Sequence, residues 1–249
     1  FPDQERVVQL TPVSVSDYAL SVAGDLAVWS ETIPHFRWEG VSTAAVRVYD
    51  YKRGSSEYIQ LNQDDLYHPA ISPDGKRIAA VAVGEDRAFS LVLLQRRSGE
   101  WVESGRHTVA LPETVQHPSF TPDGKVLFIR QSGRGRSIER WTPDSGKTEL
   151  LYRSSEGQIT NPFVHASDPS VVWFRSSSEG TEDLWALELS TGNAFAVSSS
   201  GYGLQTPAPG SGGAVVYSDY GVNGFSIRQL DPELGRWIPE DKIRRGGVY

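Results

Sequence analysis

The sequence predicts an all-β fold: a β-propeller of four-stranded antiparallel blades with five repeats visible. Three observations carry this. A proline-led cassette, Tyr67-His68-Pro69-Ala70-Ile71-Ser72-Pro73-Asp74-Gly75-Lys76, recurs 49 residues on as His117-Pro118-Ser119-Phe120-Thr121-Pro122-Asp123-Gly124-Lys125. Weaker copies begin near 17, 161 and 206, so that Gly24, Gly75, Gly124, Asp168 and Gly213 stand 51, 49, 44 and 45 residues apart, a period that marks a repeat architecture. No segment keeps a 3.6-residue periodicity, and Gly, Pro and Ser interrupt the chain too often for long helices.

In chain order, Glu5–Thr11 reads as a short strand between Pro2 and Pro12. Each cassette then opens with a first strand that would line a central channel, and in four of the five a proline, Pro69, Pro118, Pro162 or Pro207, stands at the strand start where a missing N–H is tolerated. The Pro-Asp-Gly corners at 73–75 and 122–124 suit a tight hairpin, Pro fixing φ and Gly accepting positive φ. An apolar second strand follows, as in Val126–Ile129 and Val171–Phe174, uncharged on both faces as a mid-blade strand must be. Third strands are expected at 45–49, 90–94, 137–141, 183–187 and 225–230. Gly-containing turns lead from these to fourth strands at 58–61, 107–111, 149–152, 194–197 and 236–238. Four strands per repeat describe a blade. The expected organisation is one domain over 1–249.

With 249 residues, 38% hydrophobic and 22% charged, the chain can bury a core. A net charge of -7 offers no basic field for a phosphate backbone, so nucleic acid is not an expected partner. No run is long and apolar enough to span a membrane. The absence of Cys excludes disulfides, thiolate metal sites and a Cys nucleophile. With no Met, residue 1 is expected to be a processed or cut end, as removal of an export signal, trimming or isolation of a fragment would each produce.

Ser72–Lys76 and Thr121–Lys125, each preceded by His-Pro and followed by an apolar strand, resemble the WD40-like (PD40) propeller repeat, and Asp183–Gly192 looks like its third strand and turn. The whole is similar to the propellers of the TolB type and of prolyl oligopeptidase relatives. The resemblance implies a ring of six to eight blades, usually outside the cytoplasm, so a periplasmic or extracellular location is expected. Five cassettes fit either a five-bladed ring or part of a larger one. Arg236–Ile238 and Val7–Leu10 compete for the last fourth strand.

Chemistry is sparse. No Gly-x-Ser-x-Gly turn occurs, and the five histidines, His35, His68, His107, His117 and His165, lack zinc spacing. Asn62-Gln63-Asp64-Asp65 lacks the Gly and distal Glu of a calcium loop. Asp74 and Asp123 read as blade corners. No catalytic residue, metal or cofactor is therefore expected. Two sets of binding residues are. The position before each cassette proline varies while its frame repeats, and gives a channel-mouth series of Asp17 (with Tyr18), His68, His117, Asn161 and Thr206. The loop residues His35, Phe36, Arg37 and Trp38 combine aromatic and cationic groups of the kind enriched at interfaces. The function expected is a non-catalytic scaffold for a protein or peptide. The alternatives are a glycan-active five-bladed enzyme, which would need paired carboxylates at the channel, and the gating propeller of a peptidase.

Overall fold

A computed structural model of the chain describes residues 14–15, 20–38, 40–154 and 157–243. The expected strand at Glu5–Thr11 and the candidates Asp17 and Tyr18 lie outside the described residues. The chain forms two compact units, 1–108 and 109–249.

The first unit holds two antiparallel blades. Blade one comprises β1 (Ser14–Val15) and β2 (Ser21–Ala23), both paired with β3 (Leu26–Pro34), followed by β4 (Ser42–Asp50) and β5 (Ser55–Ile59). Blade two runs β6 (Asp65–Ile71), β7 (Arg77–Val83), β8 (Phe89–Arg97) and β9 (Glu100–Thr108) in sequence order. Their shared core sets Ile78, Ala80 and Ala82 of β7 against Val46 and Val48 of β4 and Val92 of β8. Alanines in mid-strand let the sheets approach closely, and each fully buried Ile or Leu adds about 1.5–3 kcal/mol.

The second unit holds three. Blade three is β10 (Thr114–Phe120), β11 (Val126–Ser132), β12 (Gly135–Thr142) and β13 (Lys147–Arg153). Blade four is β14 (Ile159–His165), β15 (Asp168–Ser176), β16 (Asp183–Glu188) and β17 (Ala194–Ala196). Blade five is β18 (Leu204–Pro209), β19 (Val215–Gly221) and β20 (Gly224–Leu230), and β21 (Ile238–Pro239) is the last strand among the described residues. Trp185, Phe174, Leu127 and Ile129 are completely buried in the core shared by blades three and four. The five repeats are thus five blades of an all-β propeller.

The corners behave as the sequence expects. Ser72 Oγ donates to Asp74 at 2.5 Å, the Lys76 N–H donates to the same carboxylate, and Gly75 takes φ +69°. Thr121 and Asp123 repeat the first contact at 2.5 Å.

Three expectations are corrected. The cassette prolines do not begin their strands. Pro69, Pro118, Pro162 and Pro207 lie within β6, β10, β14 and β18, where the register with the second strand shifts between Tyr67 and Ala70, Gln116 and Ser119, Thr160 and Phe163, and Gln205 and Ala208. A bulge frees one residue from the ladder, so a proline there forfeits no hydrogen bond. The fourth strand of blade two is Glu100–Thr108 rather than 107–111, because Ser98 and Gly99, both at positive φ, turn the chain within two residues.

Lastly, Arg236–Ile238 does not complete blade five. The segment crosses to blade four, where Phe195 pairs with Pro239 and Ala196 with Ile238. Trp237 causes the diversion. Its indole packs edge-on against Trp173 (5.6 Å) and Phe195 (5.8 Å) and donates to the Pro232 carbonyl at 2.8 Å. Gly235 permits it, since a Cβ there would stand 2.4 Å from Val197 Cγ1. Among the described residues blade five has three strands.

Candidate functional site

The loop between β3 and β4 is a built projection. His35 N–H donates to the Val41 carbonyl at 2.9 Å, closing the neck. The His35 imidazole Nδ1 accepts from the N–H groups of Arg37 (3.2 Å) and Trp38 (3.3 Å) and stacks on Phe36 at 4.7 Å. Those backbone donors are thereby satisfied, and the turn holds its shape without a core of its own. Phe36 is 92% exposed and Trp38 60% exposed. Of the four loop residues expected to bind, one shapes the turn and three are displayed.

Beneath this tip lies a polar cluster that sequence reading missed. Glu31, three residues before Pro34 on β3, is completely buried. Its carboxylate accepts from Trp29 Nε1 at 2.8 Å and from the Tyr58 hydroxyl at 2.5 Å, and the Arg47 guanidinium lies 4.1 Å above the Tyr58 ring. Trp29, Arg47 and Tyr58 are cross-strand neighbours on β3, β4 and β5, so the cluster fastens three strands together at the root of the tip. Its bond to Glu31 raises the Tyr58 pKa above the usual phenol value, burial adding to the effect. A Trp-x-Glu alternation in an otherwise apolar strand was the available signal.

The pre-proline series shares one backbone state. His68, His117, Asn161 and Thr206 have φ of 48°, 49°, 51° and 47°. Left-handed geometry is unusual for residues with a side chain, and costs on the order of 1–3 kcal/mol where the surroundings impose it. In the second unit, His117, Asn161 and Thr206 stand on β10, β14 and β18, and Ser119 Oγ on β10 donates to the Pro162 carbonyl on β14 at 2.5 Å. Among the described residues His68 is the member of the series in the first unit.

Other polar groups serve the scaffold. Asp64 pairs with Arg106 at 2.7 Å, and Asp65 accepts from the Ala44 N–H at 2.6 Å, so the acidic 62–65 turn is spent on internal contacts. His165 Nδ1 accepts from the Ser167 N–H and lies 2.6 Å from Ser167 Oγ, while Nε2 meets the Gly210 carbonyl at 2.9 Å. Asp183, 1% exposed, accepts from Ser200 N–H (2.6 Å), Thr181 Oγ1 and Ser198 Oγ. Burial raises its pKa, against the opposing pull of those donors. Among the described residues no three His, Asp or Glu side chains are grouped to hold a metal ion.

The fold and these displayed residues define a β-propeller with a projecting aromatic tip. No protein-family model matches the chain. Over 108 residues, 43% of its length, it is 30% identical to the uncharacterized peptidase YuxL of Bacillus subtilis strain 168, of which the match covers 15%. The structure superposes on TolB from Acinetobacter baumannii with a TM-score of 0.69 at 15% identity, over 93% of this chain and 55% of that one. It superposes on a puromycin-hydrolyzing peptidase of Mycobacterium tuberculosis with a TM-score of 0.64 at 17% identity, over 94% of this chain and 38% of that one. TolB and peptidase propellers are therefore both structural neighbours. The chain spans about half or less of the length of each of these proteins.

Proposed function

We propose that this chain is a non-catalytic propeller that binds a protein or peptide, with the β3–β4 tip as its anchor. The observation that carries the reading is the pairing of exposed Phe36 and Trp38 with a turn already ordered by His35. Aromatic anchors held in shape before binding are the features that dominate interface energy. The left-handed pre-proline residues, His117, Asn161 and Thr206 on one unit and His68 on the other, are a second candidate set, with Thr206 exposed and the other three half-buried. A periplasmic or extracellular setting accompanies this reading, supported by the likeness to TolB propellers; among the described residues no helix is long and apolar enough to cross a membrane.

The test is to place a photo-crosslinker at Phe36 and at Ser145, which is exposed in a turn of the second unit. A protein captured from Phe36 and not from Ser145, whose affinity falls about tenfold or more in Trp38→Ala, supports the reading. Equal capture from both positions, or unchanged affinity, removes it.

A second reading, the gating propeller of a peptidase, is favoured by the sequence match to YuxL. It requires a hydrolase domain in the same gene product, which the full open reading frame would reveal.

A further inference from the structure

The β3–β4 tip is held in shape by a group that can take up a proton. Backbone N–H groups only donate, so a His35 Nδ1 that accepts from Arg37 at 3.2 Å and from Trp38 at 3.3 Å carries no hydrogen. The ring is the neutral imidazole, with its hydrogen on Nε2. Histidine is the side chain whose ordinary change of charge falls between about pH 5 and 8. A proton arriving at Nδ1 turns the shared acceptor into a donor, so both bonds are lost together and N–H faces N–H.

The frame around the ring does not depend on that atom. The neck bonds, His35 N–H to the Val41 carbonyl at 2.9 Å and Val41 N–H to the Trp38 carbonyl at 3.3 Å, use no ring nitrogen. The stack of His35 on Phe36, with centroids 4.7 Å apart and planes at 23°, also tolerates charge, because a cation is attracted to an aromatic face. Protonation therefore parts the stacked pair from the backbone of Arg37 and Trp38 without opening β3 or β4.

His35 is exposed, and its described contacts lie within its own loop. Arg37 is its charged neighbour among the described loop residues, and Glu39 follows outside them. On the two strands that carry the loop, Glu31 of β3 and Arg47 of β4 stand 3.8 Å apart at the root. Glu31 also accepts from Trp29 and Tyr58, so its carboxylate is committed to those partners.

We infer that His35 makes the anchor sensitive to pH: as neutral imidazole it holds Arg37 and Trp38 in the displayed turn, and as imidazolium it releases them. The inference rests on the scaffold reading for the partner whose binding is regulated, whereas the change in the tip is measured without one.

The deciding variant is His35→Asn. Asparagine Oδ1 is bonded to Cγ as histidine Nδ1 is, and accepts from backbone N–H groups in turns of this kind without titrating. Amide exchange is followed by NMR in the free chain at about pH 7.5 and about pH 5, on either side of the histidine range, with each rate corrected for its intrinsic value. In the parent, protection of the Arg37 and Trp38 amides is expected to fall about three- to tenfold in acid, with the midpoint of the His35 ring signals, while the His35 amide across the neck keeps its protection. In His35→Asn both amides should stay protected, and capture by a crosslinker at Phe36 should persist in acid where the parent loses it.

Three results overturn the inference: Arg37 and Trp38 amides that do not titrate with the ring; an Asn variant that loses protection at the same midpoint, which would assign the change to Glu39 or another group; or parent capture that is equal at both pH values. Loss of the amide response with capture intact condemns this inference alone. An intact amide response with no capture at about pH 7.5 condemns the scaffold reading, and with it the regulatory meaning of the response.

Discussion

Trp237 packs edge-on against Trp173 at 5.6 Å, and this contact decides where the end of the described chain goes. Removing the half-buried indole should cost about 2–4 kcal/mol of the stability of the second unit, below the full range for a buried Trp because the ring is partly exposed. Denaturant midpoints of Trp237→Ala would measure it. Gly235→Ala should release the same segment by forcing Val197 away, seen as faster amide exchange at Ile238.

Asp183 holds three donors although burial raises its pKa. An amide in its place would turn an NH2 group towards Thr181, Ser198 or the Ser200 N–H. Asp183→Asn should therefore destabilise by about 1–3 kcal/mol, even though it removes a buried charge. A melting temperature equal to that of the parent would contradict this.

Asp74 and Asp123 carry the pH dependence of the corners. The Ser72 hydroxyl chiefly lowers the Asp74 pKa, and Lys125, with Thr121, lowers that of Asp123. A depressed folded-state pKa contributes stability that is complete above the unfolded value near 4 and disappears as pH falls through the folded one. Asp183 acts in the opposite sense, its charge costing stability at pH above its raised pKa. Unfolding measured between pH 5 and 2 should show a shallower decline for Asp74→Asn and Asp123→Asn than for the parent.

At His117, replacement by Gly should be neutral or stabilising by up to about 1 kcal/mol, since glycine accepts φ near 49° freely. Val should cost about 1–2 kcal/mol or more, as a β-branched residue tolerates that geometry poorly. If Gly is clearly the less stable, the His117 side chain contributes packing that outweighs its backbone cost.

The blades were legible because their determinants are local and repeated. Pro-Asp-Gly at 73–75 and 122–124 specifies a corner whatever surrounds it, and the apolar runs after it can only be covered strands. What stayed hidden depended on distance. The left-handed state of His68 and its three counterparts follows from a bulge that requires the second strand to be in place. The partners of Glu31 come from β3, β4 and β5, up to 27 residues apart. The path of Arg236–Pro239 was misread because the turn at 231–235 suits blade five, whereas Trp173 and Phe195, the residues that draw Trp237 away, lie 64 and 42 residues earlier. The aromatic tip was anticipated by composition alone; its order comes from the His35 imidazole, whose role no composition reveals.

The bulge before each cassette proline has a consequence for descent as well as for shape. The extra residue is set by the frame around it, so its identity can drift without re-registering the strand. Histidine, asparagine and threonine already occupy equivalent places in one chain. Duplicated blades can therefore diverge at that one position, each acquiring its own surface chemistry while folding by the same rules.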